Sequence, residues 1–429
     1  MSGDDGLLRA AERALAAMRA AGLDAGQATA RRAVQRELNV AHDEPSLLRS
    51  TDTIALQLTG LVDGRRATAE LSSFDADAIE RRVAGLAADA RAAPQDDANA
   101  VSSGQCGDIA HGPLAGDIDA MAERTRELLD FRAREAATTM IEEAALSHVR
   151  LAARTLTSGG SDLACEIGWY EATAMATARD GGRVSSFAAA GGTCDTLDGA
   201  PLSERFSIGD MLVECGQQLE TRPFGERLEG EVVLEPAAVE DLVGWLLEQI
   251  GDTHLIAGTS VYKGAVGRSV ASPLFTLASR FDAPGVAAVS GDGFATPEVV
   301  VVRDGRLETL APSLYGSRKT GIHHVPLAGA GWQVAAGTAS RDDLVAGVHR
   351  GALVGRLSMG KPTPTGDFSG VVKNGFALRN GARDGALSET MVTGNVARML
   401  QSIVAVGRDR VDCGRWLLPR LRIEGLVFS

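Results

Sequence analysis

The chain has 429 residues, 45% hydrophobic and 23% charged, with a formal net charge of −13. That length and apolar share predict a globular protein with a sizeable core and two or three domains. The acidic balance excludes a dominant nucleic-acid role, because phosphate binding needs a concentrated basic face, and here arginine is scattered along predicted helices.

In chain order, Leu8, Ala11, Leu15 and Met18 recur at helical spacing, with Gly22 as the C-cap. Two extended runs follow, and Asp63-Gly64 reads as a tight hairpin turn. "FDADAIERRVAGLAADARAA" predicts an amphipathic helix capped by Asp75, with Ile79, Val83, Leu86 and Ala90 as its apolar stripe. These elements make an N-terminal unit over residues 1–100. "APQDDANAVSSGQCGDIAHGP" is polar and aperiodic and reads as a linker. A central unit over 117–222 opens with the helix "DIDAMAERTRELLDFRAREA" and continues as a meander turning at Gly159-Gly160 and Gly181-Gly182. It ends with a helix near Gly209–Leu219.

The third unit, 230–429, starts with the strand Val232–Leu234 and the helix "PAAVEDLVGWLLEQI", with Pro236 in its first turn. Beyond it the chain is Gly-rich and strand-like, with a hairpin turn at Asp304-Gly305 and a short helix in "NVARMLQSIVAVG". The fold class expected is α+β: N-terminal and central α/β units with antiparallel sheets, plus a Gly-rich, β-dominated C-terminal domain.

Five well-separated cysteines without any C-x-x-C exclude the usual structural zinc spacings and predict a reducing, cytoplasmic setting. The first residues lack the continuous apolar core of a secretory signal, and no run approaches the ~20 apolar residues of a membrane span. None of the seven histidines forms H-x-x-x-H or H-E-x-x-H. His323 and His324 are adjacent, so on a strand they would face opposite ways, one of them available to line a pocket. Asp292 in "GDGFATPE" suits a turn, a ligand or a substrate anchor. "GDFSG" brackets Ser369 with glycines, yet the spacing differs from the G-x-S-x-G elbow and a strand follows, which points to a turn rather than a nucleophile. "GTSVYKGAVGRS" matches neither the P-loop nor the dinucleotide fingerprint.

"PTGDFSGVVKNGFALRNG", followed by "SETMVTGNVARMLQSIVAVGRD", resembles the C-terminal signature of the TldD/PmbA family, metallopeptidase complex subunits once labelled modulators of DNA gyrase. The signature spans 364–409, with Gly366 to Ser369, Asn374-Gly375, Asn380-Gly381 and Gly394-Asn395 in order. "GDGFATPEVVVVRDGRLETL" and "ATAELSSFDADAIERRVAGLAADARAAPQD" extend the likeness over nearly the whole chain. In this family one subunit type carries His-Glu-x-x-x-His on the helix after a "vvl"-type strand, and the other, the TldE (PmbA) type, lacks it. Here that helix holds Glu240, Asp241 and Glu248 but no His, so the chain resembles the TldE type.

The resemblance implies a non-catalytic subunit of a heterodimeric zinc metallopeptidase. It would complete the substrate chamber for unfolded or modified peptides, while a TldD-like partner brings the zinc. It implies no catalytic or metal-binding residue on this chain. His323, Asp367 and Ser369 are the expected cleft-lining residues; Asp292, Gly366, Asn374, Gly375 and Asn395 are the expected structural anchors. Two other readings stand beside it: a subunit of a biosynthetic pair acting on a small molecule or peptide-derived intermediate, and a non-enzymatic binding or scaffold protein.

Overall fold

The computed structural model describes residues 3–225, 227–388 and 390–429. The first half is built on long strands: β1 Ala25–Ala41, β2 Glu44–Val62, β3 Arg65–Leu71, β4 Cys106–His111, β5 Thr139–Thr157, β6 Asp162–Asp180, β7 Arg183–Val184 and β8 Ala188–Cys194. Among the described residues they form one sheet in the order β3-β2-β1-β5-β6-β4, with β7 and β8 also on β6. Three helices of this half are α1 Gly3–Ala20, α2 Ala76–Ala92 and α3 Ile118–Glu135.

The helical stripes explain how α1 and α2 sit. Leu7, Ala11, Ala14 and Met18 of α1 and Ile79, Val83, Leu86 and Ala90 of α2 pack with Ala28, Ala30, Leu56 and Leu58 of the sheet in one core. The packing is close: a Cβ on Gly60 would lie 2.7 Å from a Leu23 methyl and 3.1 Å from a Leu86 methyl, so a larger residue there would make these leucines shift. Gly22 takes φ 75° after α1, and Asp63-Gly64 turns β2 into β3 with φ 47° and 70°. Asp75 stands at the N-cap of α2, but its side chain makes no capping hydrogen bond.

The structure departs from the sequence reading at the expected linker. The segment read as a linker carries β4, which pairs in parallel with β6 from Cys106↔Asp162 to His111↔Ile167. A six-residue strand whose one large apolar residue is Ile109 leaves little periodic signal of its own. β1 pairs with β5 from Gln27↔Thr157 to Ala41↔Glu143, so the units expected at 1–100 and 117–222 share one continuous sheet. The central meander is as read: two 19-residue strands, β5 and β6, joined across Gly159-Gly160, with β6 turning into β7 at Gly181-Gly182.

The helix α4, Ile208–Gln217, closes this half, and the second half follows with the strand Leu228–Leu234 and the helix α5, Pro236–Ile250, with proline in its first turn. Among the described residues a second, 14-stranded sheet is organised around the strand Trp416–Phe428, which pairs with Leu228–Leu234, Gly331–Val334, Thr390–Asn395 and Ile403–Asp412. The apolar face of α5, Val239, Leu242, Val243 and Leu246, is fully buried against it. Asp304-Gly305 and Asn380-Gly381 make tight turns with both residues at positive φ. Asn374-Gly375, by contrast, is no hairpin. Asp367–Lys373 pairs with Arg356–Ser358 and Thr390–Asn395, while Phe376–Arg379 pairs with Arg350–Val354, so this step moves the chain between neighbours in the sheet.

The halves are strapped together by the segment 284–294. Thr193 Oγ1 donates to the Pro284 carbonyl at 2.7 Å, His111 Nε2 to Val286 at 3.1 Å, and Gln27 Nε2 to Gly291 at 3.2 Å. No helix among the described residues is long and apolar enough to cross a membrane.

Candidate functional site

Where the two sheets face each other lies a cleft of about 970 Å³. Its first wall is the central sheet, where Glu143, Ala145, Glu171 and Thr173 of β5 and β6 meet β8. Opposite stand the start of α5, with Glu235 and Glu240, and the Trp416–Phe428 strand, with Trp416. Small residues on β5, β6 and β8 are what leave the space open: Ala145 lies beside Thr173, which lies beside Gly191.

Bordering the cleft is a charge network joining the halves. Arg341 reaches Glu214 of α4 and Glu235 before α5, each at 2.9 Å. Arg383 adds a second bond to Glu214 at 2.7 Å, and Arg420 bonds Glu235 at 2.7 Å. Burial opposes the charge on Arg341, but Glu235, Glu214 and Asp210 outweigh it and leave its pKa raised. Interlocked charges of this kind hold geometry more than they add stability, since each ion gives up hydration to enter the network.

The acids at the start of α5 behave differently. Burial, reinforced by neighbouring Asp241, raises the Glu240 carboxyl, while an interaction with Trp416 partly offsets it. Burial raises Asp241 to about 6, against the pull of Arg356. Cys413, on the same wall, is pushed up to about 12 by burial and by Asp412 and Glu240, so its thiol stays protonated and unreactive at neutral pH. These donors do not fit zinc. α5 offers the cleft carboxylates without an imidazole, and among the described residues no cluster of three His, Cys, Asp or Glu is arranged to hold a metal.

Most of the residues singled out in the sequence lie outside this cleft, the engaged ones in two clusters. Asp367 accepts hydrogen bonds from Asn395 Nδ2 at 2.8 Å and Thr365 Oγ1 at 2.9 Å, which lower its pKa. Asn395 also caps the helix Val396–Gln401, its Oδ1 accepting from the Arg398 N–H at 3.0 Å. Gly366 takes φ 94° beside Trp245, where a Cβ would lie 3.1 Å from the indole ring, and its carbonyl accepts from the Val396 N–H at 2.8 Å. The "GDFS" turn is thus a clamp between a strand start and a helix start. Ser369 is exposed on that strand, opposite Thr393.

The second cluster centres on Asp292. Its carboxylate accepts from Ser290 Oγ at 2.5 Å, Leu314 N–H at 2.8 Å and His324 Nε2 at 3.1 Å, and Phe294 packs edge-on to the His324 ring. His324 is therefore the engaged member of the histidine pair, and His323 points out exposed. Of the eight residues, Asn374 alone borders the cleft, its Nδ2 lying 3.5 Å from the Phe187 carbonyl. Gly375 lies one residue on, its carbonyl accepting from Gln218 at 3.0 Å. Of the cleft residues, Glu240 was named on the helix after Val232–Leu234, whereas Glu143, Glu171 and β8 carried no motif. The only sequence signal of β8 was the run of small residues "AAAGG" after a predicted turn.

Residues 228–429 match the PmbA/TldA metallopeptidase C-terminal domain. No curated protein sequence matches the chain. Three solved structures share its fold over 98% of its length. TldE from Thermococcus kodakarensis is 18% identical with a TM-score of 0.83, covered over its full length. A protein described as a modulator of DNA gyrase from Bacteroides thetaiotaomicron is 20% identical with a TM-score of 0.86, covered over 98%. Another so described from Thermotoga maritima is 17% identical with a TM-score of 0.81, covered over its full length.

Proposed function

The C-terminal domain, residues 228–429, belongs to the PmbA/TldD family, and from that premise we propose that the chain is the non-catalytic, TldE-type subunit of a two-subunit metallopeptidase. Its part is to complete the chamber in which an unfolded or modified peptide is held. The partner, a TldD-like subunit with His-Glu-x-x-x-His, supplies the zinc and the base. One observation above all supports this reading: α5 follows the strand Leu228–Leu234 and starts at a peptide-sized cleft, yet it brings Glu240 there and no imidazole.

On this reading the chain's own groups bind and orient. The Arg341 network fixes the two walls relative to each other, and the small residues of the sheet admit an extended backbone. The carboxylates bordering the cleft set its charge.

Co-expression with a TldD-like protein, followed by size exclusion and metal analysis, tests the reading. The expected result is a one-to-one complex with about one zinc per pair, peptidase activity in the complex, and neither zinc nor activity in this chain alone. A chain that stays apart from every such partner, as a metal-free oligomer, overturns it.

A further inference from the structure

The sheet face that walls the cleft continues well past it. Along β5 the odd-numbered residues share that face, from Glu143 and Ala145 at the cleft to Ala153 and Thr155. The latter two border a second cavity, of about 680 Å³. From Glu143 to Thr155 the strand covers roughly 40 Å. The 284–294 strap crosses between the cavities. A Cβ on Gly285 would lie 3.2 Å from the Trp169 ring, and Trp169 stands opposite Val149, midway along that stretch. No residue borders both cavities.

Their charges differ in sign. Carboxylates outnumber arginines around the cleft, whereas Arg31 of β1, Arg66 of β3 and Arg82 of α2 border the second cavity against one acid, Glu70. This runs against the chain's net charge of −13. Glu70 is already engaged, accepting from Gln57 Nε2 at 2.9 Å and from Arg31 at 3.5 Å. Arg66 lies on β3, the outermost strand, opposite Leu61. Arg82 has no acid three or four residues away along α2.

The hydroxyls divide in the same way. Thr29 and Thr155 bond each other at 2.9 Å, and Gln27 is taken up by the Gly291 carbonyl. Thr59 and Thr68 face each other across β2 and β3, with Arg66 next along from Thr68 on the same face. Among the described residues the side chains of Thr59, Thr68, Arg66 and Arg82 make no hydrogen bond or ion pair. One corner of the cavity thus holds four donors without acceptors, two of them permanently charged.

We propose that this corner binds a small anionic molecule, its phosphate or carboxylate group held by Arg66, Arg82 and the hydroxyls of Thr59 and Thr68. Guanidinium and hydroxyl donors together suit an oxyanion. The cavity is of ligand-pocket size, with room for a body beyond the charged group. The site lies apart from the cleft and stands independently of the peptidase reading.

The test is isothermal titration calorimetry of the full chain at low salt with glucose 6-phosphate, gluconate and glucose. These share a polyhydroxyl body and differ in the charged group. The phosphate or the carboxylate compound should bind at least about tenfold more tightly than glucose, and the tighter of the two identifies the group. Replacing both arginines, Arg66→Gln with Arg82→Gln, should weaken that binding at least about tenfold. Neither side chain has a partner to lose, so the melting temperature should stay at the wild-type value. Thr68→Val should weaken binding about threefold or more, and it decides the matter if the double variant fails to fold. Arg81→Gln, on α2 but away from the cavity, should bind as wild type does. Binding no tighter than that of glucose, or undiminished in the double variant, overturns the site. An equal loss in Arg81→Gln overturns it too, since diffuse charge would then suffice.

Discussion

Asn395 makes three bonds at once: it caps the Val396–Gln401 helix at the Arg398 N–H, donates to the Thr365 carbonyl, and donates to the Asp367 carboxylate. A hydrolase nucleophile loop would aim its Ser or Asp at open space, whereas here the Asp is spent on holding a turn. Asn395→Ala removes the cap and leaves Asp367 without its strongest donor. The loss should be about 1–2 kcal/mol, read as a lower urea midpoint with an unchanged slope. Because the clamp lies outside the cleft, peptide binding by the folded variant should stay at the wild-type level. The turn residues among the eight picked from the sequence were visible because turns advertise themselves: Asn-Gly and Gly-Asp steps mark positive φ or capping, and the structure puts Asn374 and Gly366 at φ 53° and 94°. The cleft residues were not visible, because nothing local distinguishes Glu171 or Ala189 from other strand positions.

Elements were legible to the extent that their signal is periodic. The stripe read for α2 is buried as read, and that of α1 in part, with Ala11 and Met18 buried but Leu8 and Leu15 half-buried because the helix turns Leu7, Ala10 and Ala14 into the core instead. Pairing partners were not legible. Nothing in β1 says that its second neighbour is β5, more than a hundred residues on, because alanine-rich strands pair in many registers with little side-chain preference. That long-range pairing carries a consequence. Residues 1–100 contain α1, α2 and β1–β3, a unit that looks self-sufficient in sequence, yet β1 donates one entire edge to β5. Expressed alone, this fragment should show no cooperative thermal transition and should aggregate through the open β1 edge. A sharp, reversible melt would mean that the α1–α2 core suffices without β5.

At the scale of the whole molecule, the halves meet on the cleft side through the Arg341 network and, at another point, through a latch. There Asp96 accepts from Lys319 at 2.9 Å and from Tyr315 Oη at 2.7 Å, while Arg318 reaches the Asp97 carbonyl at 2.8 Å. With the 284–294 strap, these contacts tie the halves together, and they join a loop that reads as a linker in sequence to a helix far along the chain. Lys319, the Ala98 N–H and Tyr315 together lower the Asp96 carboxyl from 3.8 to about 2. A depressed carboxylate stabilises the fold above its unfolded value and loses that contribution as pH falls through its folded value. The latch should therefore be intact above pH 4 and be released between pH 4 and pH 2. Asp96→Asn should remove that share of the acid slope while leaving the rest of the stability–pH curve parallel to wild type. Lys319→Met should lose the same increment, and the double variant no more than either single one, because both act through one contact. Denaturant titrations of the four proteins across that range check it; additive losses would show that Asp96 and Lys319 stabilise the halves separately rather than as a latch.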